Sequence, residues 1–256
     1  MSERPLILVS NDDGFFAPGC VALRTALRDI ADVVTVAPAS QQSAVSQAIS
    51  LHRPVRVHEV EPRVFAVDGT PADSVYVGLF HEGILPRRPD LVVSGVNHGP
   101  NLGNDVFYSG TVAAAREAAF RGIPSMAFSQ IGGGSMERAG GVARGLCERL
   151  LRAEQPPGAA VLLNVNIPAG EIRGVRACDL GERRYDEGVV VRQDPRGRDY
   201  MWIGGEGGVT HGLREGSDTE AVDQGFVSVT PLRLTMTQPE HFGMASFVSA
   251  GHEEES

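Results

Sequence analysis

The six residues "PLILVS" at 5–10 form a continuous apolar run ending in a turn residue, and "GCVALRTALRDI" at 19–30 then repeats apolar positions at helical spacing. A strand that is apolar throughout is buried on both faces, and a helix with one apolar stripe can cover it. The pair therefore reads strand, loop, helix. "DVVTVAP" at 32–38 is a second buried strand, whereas "RPVRVHEV" and "RVFAVDG" alternate like half-exposed strands. In "TPADSVYVGLF" Thr70 stands where it caps a helix whose first residue is Pro71. The alternation continues with strand "DLVVSG" (90–95), helix "SGTVAAAREAAFRG" (109–122), strand "IPSMAFS", a helix over about 136–153, and strand "AVLLNVNIP" (160–168). Strands alternating with helices predict an α/β fold in which a mainly parallel sheet is flanked by helices on both faces.

This rhythm breaks between 180 and 215. "RRYDEGVVVRQDPRGRDYMWIGGEGG" reads as a β-hairpin turning at Asp194 to Gly197, with Tyr185, Val189, Tyr200 and Trp202 alternating along it. It carries too little local core to stand alone, so a protruding extension that lies against another subunit is expected. "GFVSVTPL" at 225–232 returns as a strand, and 238–256, ending in "GHEEES", reads as a partly disordered tail. The whole of 1–256 is expected to form a single α/β domain.

Charge narrows the partners. A net charge of -9 argues against a duplex nucleic-acid groove, which needs a dense basic face. All 23 basic residues are arginine, and the absence of lysine excludes Schiff-base chemistry and a phosphate-loop lysine. A bound phosphate must then be met by arginine, backbone amides or a metal. Cys20, Cys147 and Cys178 are odd in number and lack close spacing, which fits free thiols better than disulfides or thiolate zinc. No signal segment and no run of about 18 apolar residues occurs, so no membrane is expected and the cytoplasm is the expected compartment.

Three oxygen-rich loops follow predicted buried strands, on the rim where parallel sheets hold ligands. The first offers Asn11, Asp12 and Asp13; the second Ser40 and Ser43; the third Asn97, Asn101, Asp105, Ser109 and Thr111. Adjacent carboxylates with hydroxyl and amide oxygens suit a hard divalent ion, and "YSGT" at a helix head adds amides for an anion. Each piece also has a plainer reading: NDDG is a good turn sequence, Ser43 and Ser109 are good helix caps, and His98 can be a solvated loop histidine rather than a general base.

"SNDDG" with "APG", "VAP" followed by Ser43, "GTPADSV", "SGVNHGPNLG", "YSGTVAAA", "LNVNIP" and "VDQGFVSVTPL" together resemble the SurE family, stationary-phase survival proteins that act as metal-dependent nucleotidases. The resemblance spans about residues 6–236. It implies a Rossmann-like core and one divalent ion per subunit, Mn²⁺ or Mg²⁺, on Asp12, Asp13, Ser43 and Asn97. It also implies a phosphate region at Asn101, Ser109, Gly110 and Thr111, with Asn11 taken alongside as a further donor. The implied activity is hydrolysis of nucleoside 5′- and 3′-monophosphates, in some members also of short polyphosphate. Homodimers or homotetramers built by the hairpin and an exchanged C-terminal segment are implied as well. The position of His98 is usually small or variable in that family, so no general role is carried over to it, and the tail after Thr237 matches no part of the family's pattern. Whether Asp12 attacks directly, acts as base, or only helps activate a water is left open. The haloacid-dehalogenase pattern is set aside because it needs D-x-D and a lysine. A non-catalytic nucleotide- or phosphate-binding regulatory protein is the alternative function.

Overall fold

The computed structural model describes residues 4–154, 160–204, 207–212 and 214–249. In chain order the strands are β1 (Leu6–Ser10), β2 (Asp32–Pro38), β3 (Val57–Glu61), β4 (Val64–Val67), β5 (Leu91–His98), β6 (Ser125–Gln130), β7 (Leu162–Ile167), β8 (Gly174–Ala177), β9 (Arg183–Arg184), β10 (Val189–Gln193), β11 (Asp199–Ile203), β12 (Thr210–His211) and β13 (Phe226–Pro231). The helices are α1 (Pro18–Leu27), α2 (Pro71–Phe80), α3 (Gly110–Phe120), α4 (Met136–Arg152), α5 (Asp218–Asp223) and α6 (Phe242–Ser249). Among the described residues nine strands form one sheet in the order β3-β4-β2-β1-β5-β6-β7-β13-β8. Its centre is parallel, with β3 and β13 antiparallel to their neighbours β4 and β7.

The alternation inside β1 explains why both faces need covering. Ile7 and Val9 join the core under α1 and α4, with Leu23, Leu27, Ala139, Ala143 and Cys147. Leu6 and Leu8 join the opposite core under α2 and α3, with Val75, Ala114 and Ala118. The mainly parallel α/β sheet flanked by helices expected from the sequence is the observed fold. α2 opens with Thr70 and Asp73 in a reciprocal capping box and Pro71 in its first turn, so the local sequence fixes where it starts.

Chain direction through the sheet reverses at β1, whose neighbours β2 and β5 are reached by connections running to opposite sides. Loops leaving the carboxyl ends of β1 and β5 therefore face a common crevice, the position at which open α/β sheets take ligands. β5 is longer than "DLVVSG" implied. Gly95 adopts φ +120°, the register against β6 shifts between Ser94 and Asn97, and pairing resumes with Asn97 opposite Ser129 and His98 opposite Gln130. The glycine marks an irregularity inside the strand rather than its end, so Asn97 sits on a strand terminus and not in a loop.

β10 and β11 pair as an antiparallel hairpin around Asp194 and Arg198. Met201, Trp202 and Ile203 on β11 are all exposed. Tyr185 lies before this hairpin and not within its ladder. In the tail, α6 carries exposed Phe242, Met244 and Phe247, and the expected disorder at its end lies outside the described residues. Among the described residues no helix is long and apolar enough to cross a membrane.

Candidate active site

The crevice at the β1/β5 reversal is a cavity of about 970 Å³. Asp12 and Asp13 from the loop after β1, Ser43 from the loop after β2, Asn97 from the end of β5, and Asn101 and Ser109 from the segment before α3 all line it. The chain folds here around its own side chains. Asn11 Nδ2 donates to the Gly14 carbonyl (2.8 Å) and closes the turn, and the Gln42 amide donates to the Asp12 carbonyl (2.7 Å), tying the first loop to the second.

Asp12 is 5 % exposed and receives a 2.5 Å hydrogen bond from the Thr111 hydroxyl. Burial pushes its carboxyl up to about 6; the Thr111 hydroxyl opposes that rise, the Asp13 charge adds to it, and the Thr111 amide also favours the ionised form. The N-terminus of α3 is thus aimed at the protein's own carboxylate. Close approach requires Gly110: a Cβ there would lie 2.8 Å from Asp12 Cβ and 3.1 Å from the Pro71 ring. Asp13 is half-buried, with one oxygen 3.5 Å from the His98 amide. Among the described residues no ion pair engages Asp12 or Asp13, and no arginine lines the cavity, which also bears Asp105.

Three of the residues expected in the phosphate region do not line the cavity: Asn11 closes the turn behind it, the Thr111 hydroxyl donates to Asp12, and Gly110 leaves room for Asp12. Ser109 caps α3 by accepting from the Val112 amide (3.1 Å) and keeps its own O–H for the cavity. Asn101 donates one N–H to Ser129 Oγ (2.7 Å), leaving the second. Ser40 is exposed and does not line the cavity. Asp105 is held by Arg183 and by the Tyr185 hydroxyl (2.6 Å).

Asn164 and Asn166 had no role assigned from the sequence. Asn166 Oδ1 accepts from the Asn101 amide (2.8 Å), and the Nδ2 groups of Asn164 and Asn166 donate to the Asn101 carbonyl (2.7 and 3.0 Å). The signal was present: two asparagines two apart on an otherwise apolar buried strand need partners on one face.

Across residues 7–187 the chain matches the family model described as "Survival protein SurE". It is 57 % identical over 251 residues to a "5'-nucleotidase SurE" of Sorangium cellulosum, covering 96 % of each chain. A protein of the same name from Anaeromyxobacter sp. strain Fw109-5 is 51 % identical over 253 residues, covering 97 % of this chain and 98 % of that one. The crystal structure of the SurE protein from Aquifex aeolicus superimposes with a TM-score of 0.82 at 37 % identity, covering 95 % of this chain and 99 % of that one. With its sheet order, its crevice and these matches along nearly its full length, this chain belongs to the SurE family.

Proposed function

We propose that the chain is a divalent-metal-dependent phosphomonoesterase that hydrolyses nucleoside 5′-monophosphates, and 3′-monophosphates as well, to nucleoside and phosphate. The observation that carries this reading is a cavity in which Asp12 and Asp13, adjacent in sequence, stand together with no arginine paired to either and none in the lining among the described residues. An anionic ester can settle there only beside a cation. The names of the relatives support the nucleotide as substrate class.

The donor set fits the ion. Asp12, Asp13, Ser43 and Asn97 offer only hard oxygen ligands, which suits Mg²⁺ or Mn²⁺ retaining some of its water. Asn97 Nδ2 donates to the Gly99 carbonyl (3.0 Å), which leaves its Oδ1 as the ligand atom. One ion per subunit would lie between the two aspartates. When bound, it supplies neutralisation of phosphoryl charge and acidifies a coordinated water. The chain's own residues do the rest. Thr111 fixes Asp12, the asparagine pair beneath Asn101 fixes that loop, and Asn101 Nδ2 and the Ser109 hydroxyl are placed to orient the phosphoryl oxygens.

The exposed Met201 and Trp202 of β11 and the exposed apolar residues of α6 support assembly into a homodimer or homotetramer. Three free cysteines support a reducing, cytoplasmic setting. The test is phosphate release from 5′-AMP, 3′-AMP and tripolyphosphate by chelator-treated protein with Mn²⁺ or Mg²⁺ restored. Release from the nucleotides only with metal is expected; tight nucleotide binding without release would make the chain a binding protein.

A further inference from the structure

Two anchor points fix the root of the arm to the rim of the cavity. Asp218, fully buried at the start of α5, accepts from the Gly181 amide (2.7 Å) with one oxygen and from the Gly103 amide (3.0 Å) with the other. A few residues on, Asp105 receives Arg183 and the Tyr185 hydroxyl (2.6 Å). The Asp105 and Arg183 side chains are 16 % and 12 % exposed. The chain then runs out through β10 and returns through β11, bringing Ile203 back to the mouth of the same cavity.

Phe16, Tyr108, Tyr185 and Ile203 line this mouth and are 62, 68, 51 and 95 % exposed. Three rings and a branched aliphatic chain thus stand around a polar floor, with Phe15 packed edge-on against Phe16, Arg183 over one face of Tyr185, and the remaining surface of all four left open by the described residues. A cavity of about 970 Å³ is in the range that encloses a whole small-molecule ligand, so room remains beyond an ion and a phosphoryl group. We infer that Phe16, Tyr108, Tyr185 and Ile203 form the wall that binds the nucleobase, and that Asp105 is a positioning residue that holds the arm's half of that wall over the rim. The inference rests on the nucleotidase reading. Contact through rings and an aliphatic side chain recognises a flat heterocycle without selecting among bases.

The experiment compares 5′-AMP with ribose 5-phosphate, which keeps the sugar and phosphate and lacks the base. Tyr108→Ala and Ile203→Ala truncate exposed side chains and so leave the packing in place. Each is expected to raise KM for AMP about tenfold, the scale of one lost base contact, with kcat and ribose 5-phosphate hydrolysis within about twofold of wild type. Asp105→Ala and Tyr185→Phe cut the anchor from opposite sides and are expected to share that signature. Equal losses on both substrates in Asp105→Ala, through kcat, would make it a merely structural residue and overturn its positioning role. An unchanged KM for AMP in the wall variants, or wild-type protein that hydrolyses ribose 5-phosphate as efficiently as AMP, would overturn the nucleobase wall while leaving the phosphohydrolase standing. No metal-dependent release from either substrate would remove the nucleotidase reading and the inference with it.

Discussion

Removing the charge of Asp12 should stabilise the metal-free protein while destroying its activity. The Asp12 carboxyl rises from 3.8 to about 6 in the fold, chiefly through burial. The folded chain therefore holds this proton more tightly than the unfolded chain, and metal-free stability falls as pH climbs from near 4 to near 6, then stays level. At about 1.4 kcal/mol per unit, an ionised Asp12 costs the fold about 3 kcal/mol at pH 7. In Asp12→Asn the amide oxygen still accepts from Thr111, but the new N–H groups lack partners, which takes back about 1 kcal/mol. The net gain of about 2 kcal/mol corresponds to a Tm increase of about 4–8 °C in a chain of this size. Scanning calorimetry in chelator should show that increase at pH 7 and almost none at pH 4.5, where the wild-type penalty has shrunk to about 1 kcal/mol. With Mn²⁺ at about a hundred times its dissociation constant, wild type gains about 2.7 kcal/mol and the order reverses. An Asp12→Asn protein less stable than wild type in chelator at pH 7 would refute the electrostatic argument.

Other perturbations probe the supports of this carboxylate and the frame around it. Thr111→Val keeps the shape and removes the hydroxyl donor, so Asp12 rises above 6 and the pH at which Mn²⁺ binding is half lost moves up by about one unit, read by calorimetric titration; an unmoved midpoint would show that the hydroxyl does not set the charge. Gly110→Ala drives a Cβ to 2.8 Å from Asp12 Cβ, and should cost about tenfold or more in kcat and about 1–3 kcal/mol in stability despite alanine's better helix propensity. Full activity in that variant would mean that α3 moves without disturbing Asp12. Asp218→Ala strands two buried amides and should lower stability by about 2–4 kcal/mol, seen as a lower urea midpoint at unchanged slope. Burial pushes the Cys20 thiol up to about 12 and Cys147 higher still, so neither should react with iodoacetamide near neutral pH until the chain is unfolded; labelling of native protein, read by mass spectrometry, would contradict their burial.

Local chemistry made much of this architecture readable. β1 declares itself as a central strand because Leu6 to Ser10 are buried on both faces, and Thr70 with Pro71 marks the start of α2 through hydrogen bonds confined to one turn. Asp12, Asp13, Ser43 and Asn97 could be placed on one rim because parallel strands put their carboxyl ends together. What escaped was set by distant or irregular contacts. Gly95 looked like a strand end because a glycine's freedom reads as a break, and only pairing with β6 carries the strand through to His98. The bond from Thr111 to Asp12 was unreadable because the two residues lie 99 positions apart. Asp105 resembled a free rim carboxylate because Arg183 and Tyr185, which occupy it, are 78 and 80 residues further on. The apolar mouth was invisible for the same reason: Phe16, Tyr108 and Ile203 share no stretch of sequence and no period, and meet only when the arm root is fastened to the rim.

The central claim is that one hard divalent ion sits between Asp12 and Asp13. Anomalous diffraction at the manganese edge, from crystals of the chelator-treated protein soaked in Mn²⁺, tests it most directly. One peak per subunit is expected, about 2.1 Å from carboxylate oxygens of Asp12 and Asp13 and coordinated also by Ser43 and Asn97, the spacing of a small hard cation with oxygen ligands. A crevice without a peak between the two aspartates, in crystals of protein that releases phosphate from 5′-AMP only when Mn²⁺ is added, would place the ion elsewhere and contradict the account.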